Sequence, residues 1–574
     1  MTTTAASPGF ARVAVLGLGT VGSALAGTLA RAGVPVVAVE TDEASLARGA
    51  ERTARVAGDR ASAAPVTYTT QLEAVAGSGL VIEAVPEDFA LKADLLRRAA
   101  DLCGADTVFA TTTSLPVTRI AAACGRLPRT VGLHPVGHAP EGGCVEVVHT
   151  PVTDPAVRTA VEELVRRTGR TPVAVSDQPG FVGGGLLLAY LNGAIAMFER
   201  RYASRDDIDA AMRLGCGLPL GPLAHADLIG LDTIRDGLRG LYELTGESRY
   251  LAPPLLDHMV TAGLLGVKSG RGFYRHPQEA PARLAPAALA VARPVRTVGV
   301  IGSGTMARGI AEVFGRSGRR TVLVARTEVR AKEALDGVAR SLDRGVHRGK
   351  IDTADRDAAV ERLTGTQDMA AVAECDLVVE AVAEDLAVKR AVFRRLDRVC
   401  RPGAVLTTST SSLPVVECAV VTSRPESVLG MHFFNPAPVM RLVEVVGTVL
   451  SSEEALGTVR AVCADLGKHP VSCGDRAGFI VNALLFPYLN GAVRLLEQHR
   501  ASAEDIDTVM TAGCAYPLGP LALLDVIGLD VSLQIQETLH RAFQEPTLEP
   551  ARHLRHLVAA GYLGRKSGRG FRAH

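Results

Sequence analysis

A surplus of either charge is the first thing this chain lacks. Lysine plus arginine number 62 and aspartate plus glutamate 61, a net charge of +1. Such a balance offers no electrostatic footprint for nucleic acid or an anionic membrane surface. Paired cysteines are missing too. Ten cysteines are scattered without one Cys-x-x-Cys, which removes zinc and thioredoxin-like sites and suits a reduced, cytoplasmic protein. The opening MTTTAASPGF has no basic stretch and no cleavage site, so no secretory leader is expected. Long uncharged runs are scarce. One, 179–198, is long enough to span a bilayer, but it holds five glycines and Asn192. Arg494 follows soon after its later counterpart. Both runs are expected to be buried helices at a packing interface.

What is present is a repeat. Hydrophobic residues make up 47% of 574, enough for three to five packed domains. VAVLGLGTVGSALA (13–26) returns as VGVIGSGTMARGIA (298–311), and VIEAVPEDFALK (81–92) as VVEAVAEDLAVK (378–389). GFVGGGLLLAYLNGA (180–194) returns as GFIVNALLFPYLNGA (478–492), and LLGVKSGRGFY (264–274) as YLGRKSGRGFR (562–572). Only seven lysines exist, and four fall in these paired motifs. Repeats of this kind set the architecture.

Each unit alternates apolar β runs with helical patterns, then becomes wholly helical. This predicts an α/β Rossmann-type parallel-sheet domain followed by an all-α domain, the pair occurring twice. The expected bounds are 9–176 and 177–275, a Pro/Ala-rich linker at 276–294, then 295–473 and 474–574.

Gly17-x-Gly19-x-x-Gly22 follows a strand and opens a helix, the context a dinucleotide fingerprint requires. The glycines permit a tight turn and close approach of backbone to a pyrophosphate at the helix N-terminus. Glu40 ends the next strand, where a carboxylate suits the ribose hydroxyls of NAD. The second unit carries Gly302, Gly304, Met306 and Ala307 in the matching turn. The acid's place is taken by Ala325, and Arg326 follows. An arginine suits a 2′-phosphate, so NADP is expected there. The bland alternative is a solvated Arg326 and a permissive site.

The second unit also contains Thr410-Ser411-Ser412-Leu413, Gly430-Met431-His432-Phe433-Phe434-Asn435-Pro436, Leu442-Val443-Glu444-Val445-Val446 and Gly478-Phe479-Ile480-Val481-Asn482. With these motifs it closely resembles the L-3-hydroxyacyl-CoA dehydrogenase family, over nearly all of 296–571. The first unit resembles it more loosely. The resemblance implies that His432 is the general acid/base and that Glu444 fixes its tautomer. It implies that Ser411 and Asn482 donate to substrate oxygens, and that Glu384 and Lys389 lie near the nicotinamide ribose. Singly, Glu444 reads as a strand-end charge, Asn482 as a helix cap and Ser411 as a turn residue. The resemblance places a coenzyme A nucleotide against the charged segment 326–366, where Arg344, His347, Arg348 and Lys350 cluster. A solvated helix face explains that cluster equally well.

The first unit keeps His134, Glu146, Glu87 and Lys92. Thr113 is expected in Ser411's place, Gly184 replaces Asn482, and Pro135-Val136-Gly137-His138 replaces Phe-Phe-Asn-Pro. Twelve residues are missing between Glu40 and Glu83 relative to the second unit. The unit therefore reads as a structural partner in an internal pseudo-dimer, or as a site for another substrate; homodimerisation is a further possibility. The activity implied is hydride transfer at C3 of a 3-oxoacyl or 3-hydroxyacyl thioester on CoA or a carrier protein, with no nucleic-acid or membrane partner and no metal. Alternatives are a ketoreductase of a carrier-bound or cyclised polyketide, and a non-catalytic nucleotide-binding or structural protein.

Overall fold

The structure is a computed structural model that describes residues 10–58, 63–137, 142–277 and 292–574. Most of the expected 276–294 linker, and His138, lie outside the described residues. Runs such as VAVL, VVAV and LVIE are apolar on both faces and are buried throughout. That is the mark of parallel strands covered on both sides.

The first unit contributes β1 (Val13–Leu16), β2 (Val36–Val39), β3 (Val66–Thr69), β4 (Leu80–Glu83), β5 (Val108–Thr111), β6 (Thr130–Val136), β7 (Cys144–His149) and β8 (Thr171–Ser176). The second contributes β9 (Thr297–Ile301), β10 (Arg320–Val324), β11 (Leu363–Thr366), β12 (Leu377–Glu380), β13 (Val405–Thr408), β14 (Val428–Phe433), β15 (Leu442–Gly447) and β16 (His469–Gly474). Each set forms one eight-stranded sheet, in the orders 3-2-1-4-5-6-7-8 and 11-10-9-12-13-14-15-16. All neighbours are parallel except β6 with β7 and β14 with β15. Those antiparallel pairs set His134 opposite Glu146 and His432 opposite Glu444, each pair twelve residues apart in the sequence. The units differ beside β3 and β11. The second unit carries helices Glu328–His347 and Thr353–Glu361, whereas among the described residues the first has only Glu43–Ala57. The missing residues thus leave one shorter helix in place of a pair.

A helical region follows each sheet, and the two regions share one apolar core. Its axis is the pair of helices Gly183–Glu199 and Val481–Glu497. Small residues let them approach: a Cβ on Gly193 would lie 3.5 Å from Leu484, and one on Gly491 3.2 Å from Leu186. The uncharged 179–198 stretch is therefore buried against its own repeat. Among the described residues no helix is long and apolar enough to cross a membrane.

Each helical region also touches the other unit's sheet. Tyr202 donates its hydroxyl to the Gly474 carbonyl at 2.6 Å, and the Ser176 amide donates to the Arg500 carbonyl at 3.1 Å. Helix Arg205–Cys216 brings Gly215 against Leu442, Val481 and Phe434. Its repeat loosens into a π-helical turn, Val509–Gly513, that lies against Gly137 and Val136. Gly137 has φ +82°, and a Cβ there would lie 1.8 Å from the Gly513 carbonyl oxygen.

Residues 295–574 expressed alone would strand the Val481–Glu497 face in water. Each large apolar side chain so exposed costs about 1.5–3 kcal/mol. The fragment is expected to self-associate or aggregate, which light scattering reads. A stable, fully active monomer would count against the shared core.

Candidate active site

The dinucleotide cradle is built where the strand order reverses, between β1 and β4 and between β9 and β12. A Cβ on Gly17 would lie 2.9 Å from the Ala84 carbonyl oxygen, and one on Gly22 1.9 Å from that of Gly17. These two glycines serve packing. Gly19 and Gly304 serve access: a Cβ there meets nothing within 4 Å. They cap helices Thr20–Arg31 and Thr305–Arg316 without any side-chain bond, so the first-turn amides stand open to an anion. That cradle fits a dinucleotide pyrophosphate. In the second unit Ala307 is buried beside Gly302, whose φ is +134°, and Met306 packs on the same core.

The residues at the adenosine end differ between the units. Glu40 accepts from the Leu18 amide at 2.7 Å and the Thr41 amide at 2.9 Å, which fixes its carboxylate at the end of β2. Ala325 holds that place in the second unit. Arg326 beside it is exposed and makes no hydrogen bond or ion pair among the described residues. Arg344, His347, Arg348 and Lys350 are exposed at and just beyond the end of the Glu328–His347 helix.

Opposite the cradle, Lys389 clamps a loop. It is only 1% exposed. Its ammonium donates to Glu380 at 2.9 and 3.1 Å and pairs with Glu384 at 3.3 Å. Lys389 thus holds the loop between these two carboxylates. Glu380, which the sequence reading did not single out, is fully buried and also accepts from the Val382 amide and the Thr408 hydroxyl, each at 2.7 Å. Glu384 accepts from the Thr410 hydroxyl at 2.5 Å and the Ser411 amide at 2.9 Å. Burial pushes its carboxyl up, but Lys389 and these donors outweigh that and hold it below the usual carboxylate range.

The histidine–carboxylate pair sits across β14 and β15. His432 Nδ1 lies 2.6 Å from Glu444 Oε2. Glu444 is fully buried, and its Oε1 accepts from the amides of Ile480 at 3.0 Å and Val481 at 2.9 Å. These amides open the Val481–Glu497 helix. The chain enters it through Phe479 at φ +48°, a costly conformation for an aromatic residue that its packing sustains. Phe434 and Phe479 wall the imidazole, with ring centres at 4.5 and 5.7 Å. The carboxylate keeps the ring proton on Nδ1, which leaves the Nε2 lone pair for a substrate. Asn482 donates to the Ser411 carbonyl at 3.1 Å. The four expected residues therefore come together as two bonded pairs.

The first unit repeats this more fully than its sequence suggested. His134 Nδ1 lies 2.7 Å from Glu146, which accepts from the Val182 and Gly183 amides at 2.9 Å each. Lys92 holds Glu83 at 2.8 Å. Thr113 does not occupy the Ser411 position. It bonds Glu87 at 2.8 Å as Thr410 bonds Glu384, and Ser114 bonds Glu87 through both amide and hydroxyl as Ser411 does. The one-residue gap falls after the serine, so the hydroxyl is retained. Of the four residues Ser411, His432, Glu444 and Asn482, only Asn482 lacks its counterpart, at Gly184.

Two doubly wound sheets, each with an N-terminal anion cradle and a histidine–carboxylate pair, define a dinucleotide-dependent dehydrogenase. The profile of the 3-hydroxyacyl-CoA dehydrogenase NAD-binding domain matches residues 12–178 and 297–476, and that of its C-terminal domain matches 180–276 and 478–574. The chain belongs to the 3-hydroxyacyl-CoA dehydrogenase family, twice over, and is an oxidoreductase acting on CH–OH groups. It is 44% identical over 279 residues to the 3-hydroxybutyryl-CoA dehydrogenase of Mycobacterium tuberculosis, covering 48% of this chain and 98% of the relative. It is 42% identical over 284 residues to the mitochondrial hydroxyacyl-coenzyme A dehydrogenase of Mus musculus, covering 48% and 90%. The crystal structure of 3-hydroxybutyryl-CoA dehydrogenase from Escherichia coli K12 spans 97% of this chain and all of that one, with TM-score 0.67 and 23% identity, a likeness of fold alone.

Because the Glu384 carboxyl is lowered, its stabilisation is present above its usual value of 4.5 and is lost as pH falls through the lower folded value. Glu384→Gln is expected to melt below wild type at neutral pH. That gap should narrow as pH falls below the usual carboxylate value of 4.5. A gap in Tm independent of pH would contradict this.

Proposed function

We propose that the second unit transfers hydride at C3 of a 3-hydroxyacyl or 3-oxoacyl thioester, with NADPH favoured and reduction the working direction. The joined set of Ser411, His432, Glu444 and Asn482 carries this reading. A nicotinamide dinucleotide, when bound, supplies or accepts the hydride. His432 takes the hydroxyl proton at Nε2 in oxidation and returns it in reduction. Glu444 holds the ring and stabilises the imidazolium that forms. Ser411 and Asn482 donate hydrogen bonds to the substrate oxygens as charge develops. The first unit completes the helical core through which the second is held. The thioester class rests on the relatives, whose names specify 3-hydroxybutyryl-CoA and hydroxyacyl-coenzyme A. The NADPH preference rests on Ala325 and the exposed, uncommitted Arg326.

His432→Ala is expected to lower kcat on acetoacetyl-CoA by about 10²–10⁴ with dinucleotide binding intact. Asn482→Ala should lower it by about 10²–10³. Surviving acetoacetyl-CoA reduction in His432→Ala would sink the site. Ala325→Asp combined with Arg326→Ala should shift the ratio of kcat/KM values toward NADH. A wild-type preference for NADH would refute the cofactor assignment.

A further inference from the structure

The first unit's site is too complete to be only a scaffold and too altered to take the same substrate. Ser114, His134, Glu146, Glu87, Lys92 and the Gly19 cradle are all in place. Two changes reshape what the imidazole faces. Gly184 stands where Asn482 stands, and a Cβ built on it would lie 3.7 Å from His134 Cε1, so the missing side chain vacates the space at the ring edge. Val136 stands where Phe434 stands. It turns toward Gly183 and the other unit's Gly513, and among the described residues only Phe181 lies beside the imidazole as an aromatic ring, at 5.4 Å. The consequence is exposure: the His134 side chain is 27% accessible, against 8% for His432. Where the second unit presents an amide and a phenyl ring, the first presents room.

We propose that the first unit is a second oxidoreductase site, using NAD(H), for a ketone or secondary alcohol with a bulky apolar group on the reacting carbon. Glu40, already held by two backbone amides, reads the dinucleotide as NAD. The redox step balances with that dinucleotide as the two-electron partner. In reduction, hydride reaches the carbonyl carbon, the C–O π pair moves onto oxygen, and the protonated His134 gives that oxygen its proton. Reduced nicotinamide becomes oxidised, and His134 is reprotonated from solvent. Glu146 keeps the imidazole oriented, and Ser114 remains as the hydroxyl donor. Without the amide, the site loses a grip on a polar oxygen and gains volume for an aryl or branched substituent. The wall beyond Val136 belongs to the second unit's Val509–Gly513 turn, so the site is complete only in the full chain.

The test uses the full-length protein, NADH and ethyl 3-oxo-3-phenylpropanoate, with acetoacetyl-CoA and NADPH as the second-unit control. Wild type should reduce the phenyl ester. His134→Ala should lose that activity at least tenfold and keep acetoacetyl-CoA reduction, and His432→Ala should do the reverse. Gly184→Asn, whose Cβ would meet nothing nearer than His134 Cε1 at 3.7 Å, should cut kcat/KM on the phenyl ester at least tenfold. Calorimetry gives a readout free of turnover: Glu40→Ala should remove one NADH equivalent per chain, whichever dinucleotide fills the second unit. Absence of phenyl-ester turnover in wild type, its survival in His134→Ala, or an unchanged NADH count in Glu40→Ala overturns the proposal. Failure of the acetoacetyl-CoA control touches only the second-unit reading.

Discussion

One buried carboxylate in each unit ties chemistry to folding. Glu444 gives one oxygen to the His432 imidazole and the other to two amides at the start of the Val481–Glu497 helix. Glu146 does the same in the first unit. A fully buried charge is tolerable only with such partners, and removing one typically costs about 3–5 kcal/mol. The helix cannot leave the sheet without orphaning the carboxylate, and the imidazole cannot turn without doing so. Docking of the helical region and orientation of the imidazole are therefore one interaction, with Phe479 and Phe181 held at positive φ to close it.

Around that anchor the remaining parts are held at one remove. Through Glu380 and Glu384, Lys389 fixes the Thr410–Ser411 turn against which Asn482 is bonded. The helices that start at the carboxylates continue into the core shared by both units. Disturbance of that core therefore runs back along Gly183–Glu199 or Val481–Glu497 toward an active-site ring.

Much of this was legible in the sequence. The repeat, the strand–glycine–helix fingerprint and the helical second halves rest on local signals: apolar period, glycine placement and motif recurrence. The His–Glu pair was visible as a spacing, which the antiparallel register of β6 with β7 and β14 with β15 explains. Two things were not legible. Burial of Lys389 depends on β12, β13 and the loop meeting in space, and no local pattern reports it. The retained Ser114 was hidden because the Leu-Pro motif after it invites alignment backwards from Leu115, placing the gap before the serine. Strand pairing counts forward from β5 and puts the gap after the serine.

The contact of Gly137 with the Val509–Gly513 turn has a consequence for how such a protein diverges. In a two-fold assembly of identical chains, every interface substitution occurs twice and must suit both copies of the contact. Joining the copies in one chain lifts that demand. One side could acquire a π-helical turn against a left-handed glycine while the other kept a regular helix against Leu442 and Phe434. Covalent fusion here gave each half its own mutational history, and the unlike walls of the two sites are its record.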